Sequence, residues 1–138
     1  MKRALADAEA TAALGAELAQ SIKTGVVYLH GDLGAGKTTL ARGCLRALGV
    51  SGAIKSPTYT LMEPYELAGL TVLHMDLYRL KDPRELFNLG LDDYPPASTL
   101  WLVEWPEKGG ALLPPPDLDV SLGHQEQARV ADLSYRRG

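Results

Sequence analysis

Gly31-Asp32-Leu33-Gly34-Ala35-Gly36-Lys37-Thr38 has the pattern G-x-x-x-x-G-K-T of a phosphate-binding P-loop. The flanking residues supply the context this motif requires. Before it, Val26-Val27-Tyr28-Leu29-His30 is a short apolar, β-branched run that predicts a buried strand. After it, Thr39 to Leu48 predicts a helix that stops at Gly49. Gly31, Gly34 and Gly36 allow backbone angles that a Cβ would forbid, so the loop can turn its N–H groups around a phosphate. Lys37 adds a full charge for the β/γ-phosphates, and Thr38 places a hydroxyl where Mg²⁺ would bridge them. A dinucleotide fingerprint fits poorly, because Thr39 stands where G-x-G-x-x-G needs its third glycine.

The chain has 138 residues, the size of one domain with a single core, and no apolar run long enough to span a membrane. Its first residues lead into an acidic amphipathic segment and not a secretory signal. The one cysteine, Cys44, excludes an internal disulfide and an all-Cys metal site. The expected compartment is cytoplasmic. The formal charge is −3, and the basic pairs Lys2-Arg3 and Arg136-Arg137 sit at the ends, as solvated termini do. An autonomous nucleic-acid binder would carry a basic stripe instead.

Residues 7–23 predict a helix with Thr11, Leu14, Leu18 and Ile22 on one face, ended by Thr24-Gly25. Past the P-loop helix, Pro57 holds Ser56 extended, so Ser56-Pro57-Thr58 is expected to be a loop. Two strands are expected over Tyr59–Glu63 and Thr71–Asp76, joined through Tyr65–Gly69. Asp82-Pro83-Arg84-Glu85 carries a capping box with proline at N1, opening a short helix that stops near Gly90. Thr99 to Trp105 predicts a near-continuous apolar strand, central in the sheet, and Pro106 ends it. Asp117–Leu122 and Ala128–Leu133 flank Gly123–Gln127 as a terminal hairpin. The expected fold is α/β: a three-layer P-loop NTPase-like domain over residues 1–138, a mixed sheet flanked by helices, with a C-terminal β-hairpin.

A nucleotide hydrolase needs acids near Mg²⁺ to hold the ion or orient water. Asp76 and Glu104 each close an apolar strand, where ligands of open α/β sheets bind. Taken alone, each is equally a solvated strand-end acid. Arg79 can face phosphate or pair with an acid, His74 is a core histidine on base rates, and Trp105 can stack on a base, on a partner or on the rim of the core.

Four stretches together resemble the bacterial TsaE (YjeE) family: Gly31 to Leu40, Ser56-Pro57-Thr58-Tyr59-Thr60-Leu61, His74-Met75-Asp76-Leu77-Tyr78-Arg79-Leu80, and Val103-Glu104-Trp105-Pro106-Glu107. Their order and spacing match along nearly the whole chain. The resemblance implies an ATPase needed to make N6-threonylcarbamoyladenosine at position 37 of tRNAs that read codons beginning with A. It implies ATP as substrate, Mg²⁺ as cofactor, and TsaD and TsaB as partner proteins, with tRNA met only through that complex and no membrane. TsaD would be the transferase and TsaB its companion. Carried over by residue, Gly34, Ala35, Gly36, Lys37, Thr38 and Thr39 would hold the phosphates, with Lys37, Asp76 and Glu104 catalytic. Thr38 and Glu104 resemble the Mg²⁺ positions, and Ser56, Pro57 and Thr58 resemble a nucleotide-sensing switch. Trp105 resembles an aromatic used near the nucleotide or at the partner surface, and Thr11 and Arg129 resemble two outlying nucleotide contacts near the chain ends, Arg129 being equally a solvated strand arginine. A C-terminal extension seen in some members is expected to be absent. Two other classes remain open: a small-molecule P-loop kinase, and a nucleotide-gated interaction module.

Overall fold

The computed structural model describes residues 1–125 and 128–136. Among the described residues, seven strands form one mixed sheet: β1 (Lys2–Leu5), β2 (Gly25–His30), β3 (Met62–Leu67), β4 (Leu70–Asp76), β5 (Thr99–Glu104), β6 (Leu118–Gln125) and β7 (Ala128–Tyr135). Their spatial order is β1-β7-β6-β2-β5-β4-β3. The centre, β6-β2-β5-β4, is parallel, and both edges are antiparallel. Two α-helices, α1 (Ala8–Ser21) and α2 (Lys37–Ala47), cover one face. They bury Val27, Leu29, Leu100, Leu102, Leu118 and Val120 beneath Leu14, Leu18, Leu40 and Leu45. On the other face Val26, Leu73, Met75, Trp101 and Val103 pack under the 3₁₀ segment Pro83–Asn88, which contributes Leu86, and under Leu113, just past the 3₁₀ turn Gly110–Leu112. Among the described residues no helix is long and apolar enough to cross a membrane.

Both helices begin where local chemistry directs. Asp7 caps α1, accepting from the Ala10 N–H at 2.8 Å. Gly36, with φ 110°, is the left-handed residue that launches α2. The two helices meet backbone to backbone. A Cβ on Gly15 would lie 2.1 Å from the Leu40 carbonyl oxygen, and one on Gly43 would lie 2.2 Å from that of Ala12. Gly43→Ala improves intrinsic helix propensity by about 1 kcal/mol. It must also push α1 off α2, because the obstructing atoms are backbone. Overpacking of that kind costs about 1–3 kcal/mol and here has no flexible side chain to absorb it. The expected net result is a lower denaturant midpoint for Gly43→Ala, measured by urea unfolding; a raised midpoint would show that the helices separate freely.

Several sequence expectations need correction. The N-terminal residues are more than a lead-in to α1: the basic pair stays at the surface, but Lys2–Leu5 forms a strand antiparallel to β7, Leu5 opposite Arg129. Four residues are too few to show alternation, and their partner lies at the far end of the chain. The strand expected at 59–63 is displaced to Met62–Leu67, with a turn at Pro57–Leu61 closed by Leu61 N–H to the Pro57 carbonyl. Polar Glu63 and Glu66 and Pro64 disguise β3, an edge strand where proline is tolerated. The Asp82 capping box forms as expected, but it starts a 3₁₀ segment, Pro83–Asn88, in place of an α-helix. The terminal hairpin is longer than expected, since Gly123–Gln125 are strand; Glu126 and Gln127 of the expected connector, like Arg137, lie outside the described residues.

Candidate functional site

Because β4 and β5 run parallel in register, Asp76 stands opposite Glu104 at their C-terminal ends. Glu104 also neighbours β2, where it pairs with Leu29, one residue before His30 leads into the P-loop. The loop and both carboxylates therefore share one mouth, at the carboxyl ends of the parallel strands. There a cleft of about 480 Å³ is lined by Gly34, Gly36, Lys37, Thr38, Thr39, Asp76, Glu104 and Trp105, and by Thr58 and Arg129.

Its polar groups are tightly interlinked. Thr38 Oγ1 donates to Glu104 Oε1 at 2.8 Å, and Glu104 Oε2 lies 2.7 Å from His74 Nε2. Asp76 accepts from Thr58 Oγ1 at 2.8 Å and from the Tyr78 N–H at 3.0 Å. Thr58 is 3.0 Å from Ser56 Oγ, so the loop is tied to the acid through two hydroxyls. The Lys37 ammonium donates to the carbonyls of Gly31 and Asp32 and sits 4.2 Å from the centroid of the Trp105 ring. Burial pushes that ammonium below the usual lysine value; Glu104, Asp76, Glu107 and Asp32 pull it back up.

Among the described residues, two non-glycine residues have positive φ, Leu61 at 70° and Trp105 at 57°. Both abut the acids. The Leu61 carbonyl accepts the Asp76 N–H at 3.0 Å, and Trp105 directly follows Glu104. A bulky residue in this region is strained and is held there by its surroundings. At Trp105 the turn swings the indole off the strand, toward Lys37 and against Tyr78, ring centroids 5.1 Å apart.

The oxygen donors fit Mg²⁺. Thr38, Glu104 and Asp76 offer one hydroxyl and two carboxylates, hard ligands for a hard cation. Among the described residues no group of three His, Cys, Asp or Glu side chains forms a complete metal cage. Mg²⁺ binds commonly through one or two carboxylates together with substrate phosphates, and this donor set suits that mode.

Two residues expected to contact nucleotide, Thr11 and Ala35, are not among those that line the cleft. Thr11 is fully buried in α1; its Oγ1 donates to the Asp7 carbonyl, and its methyl packs where a Cβ on Gly36 would come within 3.3 Å. It braces the loop from behind, and Ala8 reaches the cleft from the same helix. Ala35 is buried, with its N–H turned to the Asp32 carbonyl inside the loop. Ser56 and Pro57 do not line the cleft, whereas Thr58 does. Conversely, Leu33, Tyr78 and Arg79 line it. Arg79 is stacked on Tyr59, 4.4 Å from the ring centroid, and the shared cluster of His74, Asp76 and Arg79 in one heptapeptide was the available signal.

The family described as threonylcarbamoyl adenosine biosynthesis protein TsaE matches residues 5–131. A Haemophilus influenzae protein named tRNA threonylcarbamoyladenosine biosynthesis protein TsaE is 51% identical over 108 residues, 78% of this chain and 68% of that protein. The Bacillus subtilis protein of that name is 43% identical over 98 residues, 70% of this chain and 61% of its own length. One from Rickettsia conorii is 41% identical, covering 83% of this chain and 66% of the relative, so the match spans about two thirds of these proteins. The crystal structure of Bacillus subtilis YdiB superposes with a TM-score of 0.80 at 31% identity, over 98% of this chain and 84% of that one. The P-loop, both acids and the residues that link them all fall inside the matched span, on a fold shared almost end to end with a solved structure, and the chain belongs to the TsaE family.

Proposed function

We propose that this chain binds ATP with Mg²⁺ and hydrolyses it, as the ATPase component of the machinery that forms threonylcarbamoyladenosine on tRNA. The observation that carries the reading is the register match of Asp76 and Glu104 beside the P-loop, with Thr38 bonded to Glu104. Lys37, Thr39 and the loop N–H groups would hold the phosphates. Thr38 and Glu104 would hold Mg²⁺, which when bound neutralises charge on the β/γ-phosphates. Asp76 would orient the attacking water. Trp105 would border the nucleotide, and Arg129 would meet it from β7, across the cleft mouth.

The Thr58–Asp76 bond gives the loop a reason to respond to nucleotide state. A γ-phosphate beside Asp76 would compete for Thr58 and reset Ser56-Pro57-Thr58; its loss would release them. In this reading the loop reports to TsaD and TsaB, and the chain is not itself the transferase. A net charge of −3 supports contact with tRNA through such partners in place of direct counterion release. The cytoplasm is the compartment where that substrate is met.

The test is ATP hydrolysis by the chain alone and with TsaD and TsaB. Slow turnover alone, raised by the partners, is expected. Phosphate transfer to a small acceptor would make it a kinase; nucleotide binding without turnover in either setting would make it a gated interaction module.

A further inference from the structure

Glu104 is gripped from two sides, and the inner grip has no part in the scheme above. His74 and Glu104 are 0% and 2% exposed, and their contact is closed to water. His74 pairs in register with Leu102, so it lies two residues deeper than Glu104 on the same face of the sheet. Only a long side chain bridges that diagonal. An ionised carboxylate accepts and cannot donate, so Nε2 carries the hydrogen in this bond. Nδ1 is buried with no partner among the described residues. A histidine that only filled the core would be replaceable here by leucine, the residue at its register partner Leu102. What the imidazole offers that leucine cannot is one N–H aimed at Glu104.

We propose that His74 is a positioning residue for Glu104. Its Nε2–H holds Oε2 inward, and the carboxylate plane then turns Oε1 to Thr38 and the P-loop. Without that donor, Oε2 is a buried charged oxygen with nothing to satisfy it, and the side chain gains by swinging toward water. The inference rests on Glu104 being the carboxylate on the Mg²⁺ side of the nucleotide. Hydrogen bonds that orient a metal-binding side chain typically carry 10–100-fold in metal affinity.

The test measures nucleotide binding by titration calorimetry across a Mg²⁺ series and in EDTA, for the full chain and its variants. His74→Leu is expected to raise the Mg²⁺ concentration for half-maximal effect by about 10–100-fold, with binding in EDTA unchanged. His74→Gln, whose amide N–H reaches the same point, is expected to recover most of the loss. In a Glu104→Ala background, His74→Leu is expected to change nothing further. If His74→Leu fails to fold, His74→Phe keeps a ring without the N–H and carries the same expectation. A lower melting temperature with an unmoved Mg²⁺ midpoint would reduce His74 to a packing residue and overturn the proposal, as would a folded His74→Gln that recovers nothing. A Glu104→Ala protein with the wild-type Mg²⁺ midpoint would instead remove the reading of Glu104 on which the inference stands.

Discussion

Lys37→Ala is expected to lower ATP turnover by about 10²–10³-fold or more, while far-UV circular dichroism and cooperative melting persist. The side chain is only 4% exposed, yet its contacts are with the site and not with the core. Its donors go to two P-loop carbonyls, and its ammonium lies over Trp105. Neither apolar cluster includes it. Truncation leaves the Gly31 and Asp32 carbonyls short of a donor, a cost of about 1–3 kcal/mol. Alanine at the first residue of α2 returns a few tenths of that through helix propensity. The effect on catalysis is of another order, because burial has already removed part of the water around the ammonium. A charge held in such a place acts on developing phosphate charge without reorganising solvent. Steady-state hydrolysis and a thermal melt on the same preparation check both halves. A folded variant with wild-type turnover would remove the phosphate-binding assignment of the loop.

How much of this was legible in the sequence follows from how local each signal is. Gly31 to Thr38 could be placed because strand, turn and helix signals all lie within some twenty residues, and the structure builds them as expected. The Asp82 capping box is equally local and forms. Asp76 and Glu104 could be put at strand ends, but not beside each other; that adjacency comes from a parallel register between β4 and β5. His74 shows the same limit. Its chemistry depends on a partner 30 residues away, so periodicity alone could only class it as core. The strands that were missed or misplaced, β1 and β3, are the two edges of the sheet. Edge strands need not be apolar on alternate residues, and that alternation is what a sequence reading detects. Thr11 illustrates the converse case: its place on the buried face of α1 was legible from helical spacing, but its packing behind Gly36 joins two segments some twenty-five residues apart and needed the fold.

Asp76→Asn is expected to lower turnover by about 10²–10⁴-fold while nucleotide binding keeps its Mg²⁺ dependence. The exchange is nearly isosteric, and the site can accommodate it. The Asp76 carboxylate accepts from the Tyr78 N–H and from Thr58 Oγ1. An asparagine oxygen can keep the Tyr78 bond. Its NH₂ would then face Thr58, whose hydroxyl can accept as well as donate, so the bond reverses and the loop stays tied. What is lost is a negative, basic oxygen 5% exposed at the mouth of the cleft, the group that would orient water and take up its proton. Glu104→Gln should behave differently. Glu104 is bonded to Thr38, so loss of its charge should weaken the Mg²⁺-dependent part of nucleotide binding before it touches the chemical step. An interaction made only in the transition state lowers turnover without lowering ground-state affinity, and this separates the two acids. The measurement is nucleotide affinity with and without Mg²⁺, beside single-turnover hydrolysis, for both variants. If Asp76→Asn abolishes the Mg²⁺ dependence and Glu104→Gln retains it, the roles of the two carboxylates are exchanged.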